Sequence, residues 1–365
     1  MRFPIEVLIR ERQNALLNWA SPVIAVLMTI VIGFFIFAVV GKDPFYAMYV
    51  FCVEPLLTLR GWGEMGVKMT PLILCALGLL VCYRANIWNI GAEGQLIIGA
   101  LAGGTVALWA GPNTSNLYII VVFLAAVAGG GLYAAICAFL RDKCNANEIL
   151  VSLMLVYIAE LFLSWAVQSP LRDPSGLGFP QSPMFEAAAT LPIMIPGTRL
   201  HWGAALVVVI LGCIWLLMTK MFVGFQLRVA GLAPKAAVYG GFSQRKLIYF
   251  AFILSGALAG LAGVIEVTGP IGQLTPKISP GYGFAAIIVA FVGRLKPLGM
   301  VPAAFVMALF YLGGELAQSR LGTPSALTGV FQGLLLFCIL SCDAMIYYKL
   351  RWVGFQSRAS NKEAK

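Results

Sequence analysis

The chain has 365 residues, of which 60% are hydrophobic and only 11% charged. A soluble domain carries about 25% charged and roughly 45–50% apolar residues, so this composition excludes a soluble globular enzyme and implies an integral membrane protein with several spans. The net charge of +10 does not point to nucleic acid, because the basic residues gather in the loops of one side, as the positive-inside rule requires.

The 39 glycines and 19 prolines, with no strand-like alternation in the long apolar runs, favour a helical bundle with close helix contacts over a β-barrel. Residues 4–19 read as an amphipathic helix on the membrane surface. The run Pro22–Gly41 is longer than the apolar core of a signal peptide and is followed by no small-residue cleavage site, so it reads as the first span. Ten apolar runs follow this pattern, at 22–41, 67–83, 93–110, 118–140, 149–167, 203–219, 247–267, 282–293, 298–313 and 326–345. Crossing alternately from a cytoplasmic N-terminus places eighteen basic residues inside and seven outside. That asymmetry puts both termini in the cytoplasm. The fold expected is therefore all-α, with about ten transmembrane helices, N-in and C-in. Its parts are a cytoplasmic amphipathic segment at 1–20, a transmembrane domain at 21–348 and a basic cytoplasmic tail at 349–365.

The second and third runs are separated by Asn86-Ile-Trp-Asn89-Ile-Gly-Ala-Glu93-Gly-Gln95. The apolar stretches on either side hold about 15 residues each, where a straight crossing needs roughly 20. Polar residues and glycines at such depth are tolerated where the backbone lines a cavity or rests on protein. Glu93 either suits the N-terminus of a following half-helix or contacts the cargo directly. Asn86, Asn89 and Gln95 either satisfy carbonyls freed by the break or bond a polar cargo. A second break, Ser279-Pro-Gly-Tyr282-Gly-Phe284, opens the short eighth run. An odd number of crossings separates the two, so any internal repeat is inverted. Glu160 lies deep in the fifth run and must face a cavity or a polar partner. Glu266, near the end of its run, reads as interfacial. The spacings Gly256-x-x-x-Gly260 and Gly329-x-x-x-Gly333 read as helix-contact faces.

The stretch 168–202, rich in Pro and Gly, is either an outer cap or a loose connection. The eight cysteines are scattered without a CxxC pair, and His201 is the sole histidine. They read as small buried hydrophobes, with no metal site. The longest inside loop, 220–246, has five basic and no acidic residues. Pro234 suits the first turn of a short helix there, and Gly240-Gly241 ends it. Such a helix can dock into a groove on a cytoplasmic partner, or the loop is simply solvated.

This loop resembles the coupling loop of ABC-importer permeases in the group serving branched-chain amino acids, ribose and nucleosides. Three more stretches resemble the nucleoside and simple-sugar branch: Asn89–Gln95, Asn147–Ala159 and Gly281–Gly299. The resemblance runs over roughly residues 60–340. It departs at Ala233, where the family has a helix-capping Asn, and at Val156, where this branch often has Asn. The resemblance implies a permease subunit that is not itself an enzyme and sits in a bacterial inner membrane. A cytoplasmic ATP-binding subunit would contact Arg228, Gly231, Pro234, Lys235, Ala236 and Ala237. It also implies a second permease chain, in a heterodimer, and a periplasmic or lipid-anchored binding protein. The path for a nucleoside or related simple sugar would be lined by Asn86, Asn89, Glu93, Gln95, Glu160, Tyr282 and Phe284. The chain has no G-x-x-x-x-G-K-[ST] run, so ATP is cradled by the partner and no cofactor is expected here. The alternatives are an ion-coupled secondary transporter, which would want more buried acidic residues, and a permease for another cargo such as an amino acid.

Overall fold

The computed structural model describes residues 5–9, 15–176 and 178–352. In chain order the elements are β1 (Ile5–Ile9), α1 (Ala15–Val39), α2 (Pro44–Met48), α3 (Leu59–Arg84), α4 (Ala92–Ala107), α5 (Tyr118–Cys144) and α6 (Glu148–Gln168). Then come α7 (Gly203–Thr219), α8 (Phe222–Leu232), α9 (Pro234–Tyr239), α10 (Gln244–Glu266), α11 (Tyr282–Val292), α12 (Met300–Leu321), α13 (Ala326–Tyr347) and β2 (Tyr348–Trp352). Every apolar run of the sequence is helical. Among the described residues, six helices are long and apolar enough to cross a membrane, or seven if α7 and α8, bent by 64°, count as one. At 1.5 Å per residue, α4 reaches about 24 Å and α11 about 16 Å, against a hydrocarbon core of about 30 Å. Both are half-helices, and the eighth run is not a crossing by itself.

The chain divides into two compact units, residues 1–48 with 329–365 and residues 49–328. In the smaller unit, α1 and α13 meet where the Phe331 ring lies over Gly33 and tilts against Phe37 at 5.6 Å between centroids. Its β1 and β2 pair antiparallel, with Ile5 opposite Trp352 and Ile9 opposite Tyr348. That replaces the surface helix expected over 4–19 with a strand at 5–9, while 15–19 are helical as the start of α1. Ile5, Val7 and Ile9 alternate along the segment, a pattern that suits a strand. Residues 10–14 and most of the basic tail lie outside the described residues.

In the larger unit α3 is the hub, with an unbroken buried stretch from Thr70 to Cys82. Around it the helices approach backbone to backbone. A Cβ at Gly260 would stand 2.3 Å from the Ala126 carbonyl oxygen of α5, and one at Gly99 would stand 2.1 Å from Gly260 Cα. Only glycine permits that approach. The second expected contact face is different, since a Cβ at Gly329 or Gly333 would meet nothing within 4 Å among the described residues. Cys75, Cys82, Cys137, Cys338 and Cys342 are buried as expected, while Cys144 and Cys213 are exposed.

Residues 168–202 form a fitted cap over the end of α10. Ser182 N–H donates to Leu274 O at 2.9 Å, Phe185 N–H to Gly272 O at 2.9 Å and Leu191 N–H to Thr268 O at 2.9 Å. The cap explains why Glu266, read as interfacial, is only 7% exposed. The chain past it folds through a π-turn, Val267–Ile271, beneath the loop.

Candidate functional site

The helix α3 stops in a Schellman turn. Asn86 N–H donates to Tyr83 O at 3.1 Å and Ile87 N–H to Cys82 O at 2.9 Å, with Asn86 left-handed at φ 55°. Asparagine is one of the few side chains that tolerates that conformation. Asn86 is exposed and its place in the fold is to end the helix. The chain then runs without helical bonds to α4. Along that run Asn89 is wholly buried. Its Nδ2 donates to Gln95 Oε1 and to Ser255 Oγ, both at 3.1 Å. Its Oδ1 accepts from Gly91 N–H at 3.0 Å and Gln95 Nε2 at 3.1 Å. Two donors and two lone pairs are thus all used. Ile90 N–H donates to Ser152 Oγ at 3.1 Å. This polar knot ties the break to α6 and α10.

Glu93, 3% exposed, lies in the first turn of α4 and reaches the start of α11. Its Oε2 accepts from Gly283 N–H at 2.6 Å. Ser279 Oγ accepts from Gly281 N–H at 3.1 Å and from Tyr282 N–H at 2.9 Å. The opening N–H groups of a helix have no internal partner, and here one carboxylate and one hydroxyl meet three of those at the start of α11. A carboxylate between two helix N-termini is well placed for both dipoles. The approach needs Gly283, where a Cβ would stand 2.3 Å from Glu93 N. Tyr282 is buried against Tyr311, ring centroids 5.3 Å apart. Phe284 and Glu160 lie on exposed faces.

The structure thus joins Asn89 to Gln95 and Glu93 to Gly283, and leaves Asn86, Glu160 and Phe284 apart from that interior. The sequence placed Ser279 and Gly283 in the second break without a partner for either, and it did not single out Ser255, which lies inside the continuous helix α10.

On the basic loop, α9 is a single short helix begun by Pro234. It is closed by Gly241 at φ 77°, with Phe242 N–H donating to Ala237 O at 2.9 Å. Ala233 supplies no side-chain cap, but Gln244 Nε2 donates to Pro234 O at 3.2 Å and braces the helix. Ala237 is buried, whereas Pro234, Lys235 and Ala236 face outward. Arg228 donates from Nε to Gly224 O at 3.3 Å. Beside the basic groups stand Leu232, 87% exposed, and Tyr239, 94% exposed. Neither was singled out from the sequence, because a lone apolar residue in a loop is common. Gly231 presses on the end of α3, where a Cβ would lie 2.2 Å from Arg84 O.

A second polar group lies near the cap. Lys68 Nζ meets Glu315 Oε1 at 2.6 Å, and Arg199 bridges Glu64 at 3.4 Å and Pro270 O at 3.0 Å. His201 is buried beside it, and burial together with Arg199 pushes its pKa down to about 4. Among the described residues no group of three or more His, Cys, Asp or Glu side chains is arranged to hold a metal ion.

The family model described as the branched-chain amino acid transport system / permease component matches residues 64–340. The glucose ABC transporter permease protein TsgB13 of Haloferax volcanii is 33% identical, over 97% of this chain and 95% of its own length. The guanosine ABC transporter permease protein NupP of Bacillus subtilis is 29% identical over 78% of this chain and 82% of its own. Its counterpart NupQ from the same organism is 27% identical over 68% and 81%.

Proposed function

The chain belongs to the branched-chain amino acid transport system permease family, and we propose that it carries a nucleoside or simple sugar across a bacterial inner membrane. It is the permease subunit of an ABC importer and a multi-pass membrane protein. ATP hydrolysis then falls to a separate subunit, and cargo is delivered by a binding protein. In this reading the chain makes ten crossings with both termini in the cytoplasm, each of the short helices α4 and α11 completing its own crossing with the broken stretch that leads into it. The eighteen-to-seven distribution of basic residues supports that orientation. The cargo reading leans on relatives named for guanosine and glucose. That NupP and NupQ, two permeases of one organism with one printed cargo, both resemble this chain supports a heterodimer.

The observation that carries the coupling role is the tip of the basic loop. Two large apolar side chains, Leu232 and Tyr239, stand almost fully exposed beside Lys235. Exposed aromatic groups ringed by charge are what partner pockets bind. The path is assigned to the exposed face of α6 around Glu160 together with Phe284. The knot of Asn89 and Gln95, and Glu93 at the start of α11, hold the helix break behind it.

Tyr239→Ala and Lys235→Glu test this reading. With the permease present in the membrane at its normal level, uptake of labelled guanosine and glucose should fall about tenfold, the loss of roughly 1.4 kcal/mol of coupling. Undiminished uptake in both variants rejects the loop as the ATPase contact, and uptake of neither cargo by the unaltered importer rejects the cargo class.

A further inference from the structure

The guanidinium of Arg84, the last residue of α3, donates from Nε at 3.1 Å and from Nη2 at 2.8 Å to one acceptor, the carbonyl oxygen of Leu295. Leu295 lies just past α11, in a turn where Arg294 and Leu295 are both left-handed, at φ 54° and 50°. Their N–H groups bond back to Phe291 O and Ala290 O, each at 2.9 Å, so the turn moves with the last turn of α11. It is the same Schellman geometry that ends α3 at Asn86 and Ile87. Two helix ends of one shape are therefore fastened by one arginine, through charge-assisted bonds stronger than neutral ones.

The other side of Arg84 faces α8. Its carbonyl lies directly against Gly231, and a Cβ there would also stand 3.1 Å from Ala85 C. Rings continue the contact along α11, with Tyr83 stacked on Phe291 at 5.5 Å and Trp88 at 6.4 Å from the same ring. At its far end α11 presents Gly283 N–H to Glu93. A continuous chain of close contacts thus runs from the loop 220–246 through Arg84 and α11 to Glu93 in the first turn of α4.

We propose that Arg84 is the positioning residue that passes displacement of α8 to α11, and through α11 to Glu93 and the α3–α4 break. This rests on the reading of 220–246 as the ATPase contact. Arg84 touches no cargo; it sets whether movement at the loop reaches the break. Lysine in its place keeps the charge and one bond to Leu295 O but loses the paired geometry.

The test uses the importer reconstituted in vesicles with its ATPase, second permease and binding protein, with ATP hydrolysed and cargo taken up measured together. Arg84→Ala should lower cargo moved per ATP by about tenfold while stimulated hydrolysis continues, with Arg84→Lys intermediate. Gly231→Ala should uncouple likewise, and the double variant should be no worse than the worse single one, because both break one contact chain. A wild-type ratio in Arg84→Ala, or strictly additive losses in the double variant, overturns the proposal. Should Arg84→Ala fail to insert, Arg84→Lys and Gly231→Ala decide, and wild-type ratios in both overturn it. The two readings fail separately. Intact coupling in Lys235→Glu with uncoupling in Arg84→Ala removes Lys235 from the docking contact and leaves the relay from α8, and the converse removes the relay alone.

Discussion

The imidazole of His201 is 2% exposed, and neither of its nitrogens has a hydrogen-bond partner among the described residues. Gly203 and Gly269 leave room for the ring, and a Cβ at either would press on it. Burial, with Arg199 nearby, depresses its pKa from the usual 6.5 to about 4. The neutral form is therefore the folded form. As pH falls below 6.5 the unfolded chain takes up a proton that the folded chain refuses, so stability is lost from there down to about 4 and is unaffected above. A shift of that size corresponds to about 3 kcal/mol by the bottom of the window. His201→Gln should keep its melting temperature nearly flat between pH 6.5 and 4.5 relative to the unaltered chain, and parallel pH profiles would refute the buried neutral ring. The histidine was legible as the sole one of its kind, its surroundings were not. The same holds for Asn89, whose polarity in an apolar stretch drew notice while Ser255, 166 positions away, could not be read as its partner.

Among the helices, spacing of small residues predicted contact at two places, and only one of them is a contact among the described residues. Gly260 lies against the α5 backbone, while Gly329 meets nothing within 4 Å. The pattern is identical in sequence because Gly-x-x-x-Gly states what a helix face permits, not what lies across from it. Gly260→Ala forces a methyl against a carbonyl oxygen that belongs to backbone and cannot swing away, so it should destabilise by about 1–3 kcal/mol or more. Gly329→Ala should stay within about 0.5 kcal/mol. Thermal unfolding in detergent, followed by tryptophan fluorescence, separates the two. Equal losses would mean that the α5–α10 contact is not the tight one. The half-helices were legible for a firmer reason, since α4 and α11 begin at residues that break helices or sit badly in lipid. What the sequence left open was that one carboxylate, Glu93, serves both.

For the whole molecule, the outstanding question is what lies against α6. Its face carries Tyr157, Leu161 and Trp165, each more than half exposed, with Glu160 among them. Periodicity could locate that helix but not its neighbour, because a face toward lipid and a face toward a second permease are both apolar. The carboxylate breaks the tie. Ionised in lipid at mid-span it would cost about 2.5–3.5 kcal/mol on insertion scales, whereas beside a watered path it costs little. Leu124 on α5 offers the contrast, 63% exposed on a helix that carries no charged residue before Arg141. After Cys144 and Cys213, the two exposed thiols, are replaced by serine, Glu160→Cys should react with a water-soluble maleimide and Leu124→Cys should not. Cargo bound in the assembled importer should slow the labelling at 160. Equal resistance at both positions would place α6 in lipid and move the path elsewhere.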